Sequence, residues 1–205
     1  MLKITNLGHA CFLVEDGSCR LVIDPYDDAT GYPPLRVSAN MLLMSHSHHD
    51  HSFAEGVILE PGPKFEYTEI ASFHDEDGGS KRGPNKIFVV EAGGRRICHM
   101  GDLGHIPSEE QYAAIGKVDL LLLPVGGFYT IDAAQAAEVA RRIDAPMIIP
   151  MHYNPGSLNN PISGIDPFLA EMAEKPIVRA DLEGRNSVEI EDAIAPRVEV
   201  LKMPG

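Results

Sequence analysis

The segment Ser45-His46-Ser47-His48-His49-Asp50-His51 constrains this chain more than any other stretch. Four of its nine histidines fall between His46 and His51. An apolar core has little use for so many ring nitrogens, each of which needs a polar partner when buried. The preceding residues, Asn40 to Met44, read as a short buried strand, so the cluster sits in a loop leaving a strand end. In such a loop His46 and His48 can aim at one point while Asp50 and His51 turn toward a second point nearby. Neutral imidazoles and carboxylates suit zinc and related divalent ions. The plain alternative is a polyhistidine-like surface loop, and an aspartate inside the cluster favours a built site over it.

One loop cannot complete a two-ion site, so further donors are sought where other strands end. His74 follows an Ile70 to Phe73 strand, Asp102 follows Arg96 to Met100 and Gly101, and His152 follows Met147 to Met151. Taken singly, each has a bland reading. A lone histidine is more often a hydrogen-bonded or surface residue, and an aspartate after glycine is often a turn residue. Their shared place at strand ends is what singles them out. Other strands are predicted at Lys3 to Thr5, Cys11 to Val14, Cys19 to Ile23, Lys64 to Tyr67, Ile87 to Val90, Leu120 to Leu123, Ser187 to Ile190 and Val198 to Leu201. Helical spacing covers Ser108 to Ile115, Asp132 to Arg142 with Thr130 as its cap, and Asp166 to Glu174. Many short strands interspersed with helices predict an α/β sandwich, and 205 residues without a linker or repeat predict a single domain spanning 1–205.

Charge narrows the partners. Thirty acidic residues against 17 basic ones give −13, which opposes attraction to nucleic-acid backbones and anionic membranes. No apolar run approaches a membrane span and no basic-then-apolar leader is visible. Three widely spaced cysteines form no disulfide framework and fit a reducing, cytoplasmic setting. The expected partner is a small molecule, and a pocket made locally positive by metal would accept an anionic one.

The succession S-H-S-H-H-D-H at 45–51, S-F-H-D-E at 72–76, G-D-L-G-H at 101–105 and P-M-H-Y at 150–153 resembles the metallo-β-lactamase superfamily across nearly the whole chain. Asp24, in V-I-D-P, matches that superfamily's early aspartate, which supports the histidine loop. G-H-A at 8–10, K-R-G-P-N at 81–85 and P-V-G-G-F-Y-T-I-D-A at 124–133 are similar to the small hydrolases related to L-ascorbate-6-phosphate lactonases. The resemblance implies a four-layer αββα fold and two divalent ions. Zinc is the default, and manganese or iron can occupy the same ligands. It implies that His46, His48 and His74 hold the first ion, Asp50, His51 and His152 the second, and that Asp102 bridges them. The short stretch between His51 and His74 leaves little room for an added nuclease segment. Self-association is compatible with the resemblance.

Two divalent ions held by imidazoles and only two carboxylates lower the pKa of bound water and make hydroxide the expected nucleophile, with Asp50 orienting it or accepting its proton. No G-x-S-x-G motif supports a serine hydrolase. His105, close behind Asp102, is expected to contact substrate or protonate a leaving group. His9 is read either as support for the site or as a structural hydrogen-bonding residue. Lys81, Arg82 and Tyr129 are candidate substrate contacts, with a solvated basic turn as the alternative for the first two. The expected activity is hydrolysis of a small ester or lactone, a phosphodiesterase being the nearest enzymatic alternative. A metal-dependent binding or sensor protein with little turnover is the alternative of a different class.

Overall fold

Side-chain direction alternates along each strand, and the central strands β10 and β11, buried at every residue, use both faces to build two layers. The computed structural model describes residues 1–190 and 192–204. In chain order the elements are β1 (Leu2–Gly8), β2 (Cys11–Glu15), β3 (Arg20–Ile23), β4 (Val37–Ala39), β5 (Met41–Leu43), β6 (Val57–Leu59), β7 (Glu66–Phe73), β8 (Pro84–Ala92) and β9 (Arg95–His99). There follow α1 (Glu109–Ile115), β10 (Leu120–Pro124), α2 (Ala133–Ile143), β11 (Met147–Met151), α3 (Asp166–Glu171), β12 (Ile177–Arg179), β13 (Ser187–Ile190) and β14 (Arg197–Val200). One sheet has the order β13-β1-β2-β3-β5, a second the order β12-β14-β11-β10-β9-β8-β7, and β4 pairs separately with β6.

Successive side chains of a strand point to opposite faces. Leu120 and Leu122 of β10 therefore join Met147 and Ile149 of β11 and Phe88 and Val90 of β8 in a core shared with Ile4, Phe12, Val14, Leu21 and Ile23 of the first sheet. This is the layer between the sheets. Leu121 and Leu123 point the other way, into a cluster with Ala136, Ala137, Val139 and Ala140 of α2, Ile115 of α1 and Phe168 of α3. A strand buried on both faces reads as an unbroken apolar run, which is why Leu120–Pro124 carries no polar residue. The α/β sandwich is the expected one. Its helices pack on the seven-stranded sheet, α1 against β7 and α2 against β10, with α3 against α2.

The topology decides where loops gather. β9, β10, β11 and β14 run parallel, and β3 runs parallel to β5, so the carboxyl ends of neighbouring strands open at a common edge. That is where ligand-binding loops collect in α/β sheets. The edge is sewn across the two sheets by the backbone: His152 N–H donates to His9 O at 3.2 Å, and Lys86 N–H to Ser45 O at 3.0 Å.

Two local expectations are corrected. The strands read separately at 64–67 and 70–73 are one edge strand, β7, whose outward residues are exposed and so lack a continuous apolar signal. The cap of α2 is Asp132, not Thr130. Its carboxylate accepts from Gln135 N–H at 2.9 Å while Gln135 Oε1 accepts from Asp132 N–H at 3.0 Å, a reciprocal capping box. Asp132→Ala is expected to cost about 1 kcal/mol, seen as a fall of roughly 2–4 °C in Tm. Thr130→Ala should stay closer to wild type in the same melt.

Candidate metal centre

Four imidazole nitrogens surround one carboxylate oxygen. Asp102 Oδ2 lies 3.1 Å from His74 Nε2, 3.2 Å from His51 Nε2, 3.2 Å from His152 Nε2 and 3.9 Å from His46 Nε2. Donors bonded to one ion at about 2.0–2.1 Å sit roughly 3.3 Å apart on a tetrahedron's edge. The spacing is that of ligands around cations. His51, His74, His152 and Asp102 are buried, and the Nε2 atoms of His46 and His51 and Oδ1 of Asp102 have no hydrogen-bond partner. Buried polar atoms left unpaired are costly, and a cation would satisfy them.

The rings are fixed from behind. His51 Nδ1 donates to Asp24 Oδ2 at 3.0 Å, and His74 Nδ1 to Tyr129 O at 3.1 Å. Ser45 gives its hydroxyl proton to Asp24 Oδ2 at 2.6 Å, which leaves Ser45 Oγ to accept from His46 Nδ1 at 2.9 Å. In all three rings the proton on Nδ1 turns the Nε2 lone pair inward, the outer hydrogen bonding that orients metal-binding imidazoles. Asp24 is itself fully buried and also accepts from Ser45 N–H at 2.6 Å.

Asp102 is placed by a clamp that sequence reasoning missed. Asn85 Oδ1 accepts Asp102 N–H at 2.9 Å, and its amide donates to Met100 O at 2.9 Å and Ser72 Oγ at 2.7 Å. The only sequence trace of this residue was its place in K-R-G-P-N. Gly101, with φ +55°, lets the segment pass: a Cβ there would lie 2.3 Å from Asn85 Oδ1. Non-glycine residues at the same edge, among them His9, Asp24 and His152, also hold positive φ, near +55°, +52° and +51°. Such backbone costs of order 1 kcal/mol or more and persists only where surroundings over-determine it.

Donor groups within 4.8 Å of one another fall into three sets: His46 with His48 and His74, His46 with His51 and Asp102, and His9 with Asp50, His51 and His152. The edge thus brings together His46, His48, Asp50, His51, His74, Asp102 and His152, and adds His9. A cavity of about 930 Å³ opens over them, walled by His9, His48, Asp50, Asp102 and His152 with Tyr32, Arg82, Tyr129 and the 157–160 loop.

The other candidates divide. Arg82 lies at the cavity wall, donating from Nη2 to Phe128 O at 3.2 Å with its guanidinium 5.5 Å from the Tyr129 ring centroid. Lys81 instead pairs with Asp77 and does not line the cavity. The loop carrying both is shaped by Asp75, whose carboxylate accepts four backbone N–H groups, from Asp77, Gly79, Lys81 and Arg82, at 2.8 to 3.0 Å. His105 is outside the cavity wall, and the structure gives it a different task from proton donation. Its Nδ1 donates to Ile106 O at 2.9 Å and its Nε2 accepts Phe73 N–H at 3.3 Å, so both nitrogens are occupied by backbone. His49, on the exposed rim of the cavity, pairs with Asp27 at 2.9 Å and joins none of the donor sets. His99 accepts Gly101 N–H at Nδ1 and donates to Ala10 O from Nε2, holding two of the converging loops.

Electrostatics follow from the same packing. Burial, then neighbouring His152, pushes His9 down to about 4, and burial with His51 pushes His46 down to about 3. Burial also lowers His48 and His99. These rings stay neutral, the form that binds metal. Burial alone would lower His51 and raise Asp102. In the metal-free chain opposite charges reverse both: Asp102, then Asp24, raise His51 well above the ordinary value, and His152, then His51, hold Asp102 well below it.

Residues 3–152 match the family model described as beta-lactamase superfamily domain. The chain belongs to the metallo-β-lactamase superfamily. Among this superfamily member's relatives is a UPF0173 metal-dependent hydrolase of Thermoplasma volcanium, 30% identical over 190 residues that cover 75% of this chain and 84% of the relative. A UPF0173 protein of Pyrococcus furiosus is 30% identical over 78% of this chain and 87% of its own length. A crystal structure from Thermotoga maritima, described as a Zn-dependent hydrolase of the metallo-beta-lactamase superfamily, is 33% identical, covers 99% of this chain and 100% of that one, and has a TM-score of 0.77. Igni18, a metallo hydrolase of Ignicoccus hospitalis, shares the fold at 18% identity and a TM-score of 0.67.

Metal-stripped protein should lose stability as pH falls from 6.5 toward about 4. In that window the unfolded chain protonates His9, His46, His48 and His99 while the folded chain leaves them neutral, so the unfolded state binds more protons. The single raised histidine, His51, is already protonated in the folded chain above this window, so its contribution is nearly constant across it. Thermal melts in chelator at stepped pH check this, and a Tm that rises on acidification would contradict it.

Proposed function

We propose that the chain is a hydrolase that binds two divalent ions, zinc by default, and cleaves a small, anionic ester, lactone or phosphoester. The observation that carries the reading is the convergence of four Nε2 atoms on Asp102 Oδ2, three of them oriented by hydrogen bonds to Nδ1. His46, His48 and His74 would hold one ion, Asp50, His51 and His152 the other, with Asp102 shared. Bound there, divalent ions would lower the pKa of water toward neutrality and polarise the substrate oxygen.

The chain's own residues divide the remaining work by exposure. Asp102 is 2% exposed and ringed by imidazoles, which suits a ligand. Asp50 is 27% exposed and faces the cavity, so it is the carboxylate placed to orient water and hold its proton. With His105 committed to backbone, Asp50 is also the group from which that proton passes to the leaving atom. Arg82 supplies a guanidinium to a substrate carboxylate or phosphate. The reading takes residues 1–205 as one catalytic unit. Three free, buried cysteines fit a reducing cytoplasm, and among the described residues no helix is long and apolar enough to cross a membrane.

Metal analysis with a panel of p-nitrophenyl esters, lactones and phosphodiesters tests the reading. About two ions per chain and turnover of one class, lost in Asp102→Ala, are expected. Bound metal without turnover of any class, unchanged by Asp102→Ala, would favour a binding or sensor role. Arg82→Ala should raise KM for anionic substrates roughly 10- to 100-fold, the value of a charge-assisted hydrogen bond, while leaving a neutral analogue near wild type. Equal loss on both would remove Arg82 from substrate recognition.

A further inference from the structure

His9 stands outside the donors described for either ion, yet it is built into the second position. It lies in the turn between β1 and β2, on the sheet opposite β11, and is only 4% exposed. Its Nε2 is 3.3 Å from Asp50 Oδ2, and its donor atom lies within 4.8 Å of those of Asp50, His51 and His152. A hydrogen bond to Asp50 would be the simple explanation of that contact. However, the atom is buried without an aligned partner. The ring centroids of His9 and His152 are 4.2 Å apart, and His152 N–H bonds back to His9 O at 3.2 Å. Both residues hold left-handed backbone. The turn is also braced from outside: a Cβ at Gly8 would lie 3.2 Å from both Tyr26 and Tyr32 and 3.3 Å from Pro204. Thus a strained backbone is wedged so that an unpartnered imidazole nitrogen meets three other donors.

We propose that His9 Nε2 is a further ligand of the second ion, making that position a five-donor site of His9, Asp50, His51, His152 and the shared Asp102. The first position then has four protein donors, His46, His48, His74 and Asp102. The two positions therefore differ in kind. Four donors suit tetrahedral zinc, whereas five nitrogen and oxygen donors suit an ion that accepts five or six ligands, such as manganese or iron(II). The inference rests on the two-ion reading above and adds an asymmetry to it.

The test uses metal binding. His9→Asn is the first variant, because asparagine tolerates left-handed backbone, and His9→Gly the second, because glycine adopts it without strain. Each is titrated with Co²⁺, with visible absorption and metal content as readouts. Expected for wild type are two ions, one giving the weak absorption of a five- or six-coordinate centre. Expected for both variants is second-ion affinity lowered roughly tenfold or more, a band intensified toward four-coordination, and an unchanged first ion. Melting of the metal-free variants at or near the wild-type temperature would show that the loss is one of ligation. Two ions bound with wild-type affinity and spectrum in both variants would overturn the role of His9 while leaving the two-ion reading intact. A wild-type chain that binds no Co²⁺ would overturn that reading first, and this proposal with it.

Discussion

A buried carboxylate ringed by imidazoles is the constraint to which the rest of the molecule answers. Asp102 is almost wholly buried, and an isolated charge in that position would be heavily penalised. Its neighbours His51, His74 and His152 approach within 3.2 Å, and each comes from a different strand end. The two sheets must therefore meet with their loops in register at one edge. Asn85 fixes the Asp102 backbone, Asp24 fixes His51 and Ser45, and a backbone hydrogen bond joins His152 to His9 across the sheets. Removing one of these supports would shift a donor without removing it, so much of the precision of the centre resides in residues that touch no ion.

Most of this was legible in the sequence because ligation demands particular residue types at particular places. The H-x-H-x-D-H loop announces itself by composition, and His74, Asp102 and His152 are marked by their places at strand ends. The strands themselves were visible for the same reason: β10 is buried on both faces and reads as leucines, and α2 shows alanine spacing. What escaped depends on three-dimensional approach. Asn85 acts through a backbone contact from β8 to the segment after β9, which no local pattern encodes. The Asp132 cap was hidden by Thr130, another residue able to cap a helix, two positions earlier. His105 looked reactive because it follows Asp102 closely, but chain proximity does not fix ring direction, and the backbone of Phe73 and Ile106 claims both nitrogens. His9 was ambiguous for the opposite reason: it is far from the other donors in sequence and adjacent to them only because the sheets face each other.

The strain at this edge has a common logic. His9, Asp24 and His152 are the residues at which the chain must turn sharply while delivering a functional side chain. Glycine would relieve the backbone and forfeit the imidazole or carboxylate. The sandwich core, with Leu120, Leu122, Ile149 and their partners fully buried, supplies the rigidity that holds those turns.

The loop that carries Arg82 has a further consequence. Its shape comes from Asp75 gathering four amide hydrogens, and the side chains at Lys81 and Arg82 take no part in that gathering. Main-chain form and side-chain identity are thus uncoupled at the wall of the cavity. A neutral or acidic side chain at position 82 would leave the same loop standing, so the polarity of that wall can change without any change in the main chain.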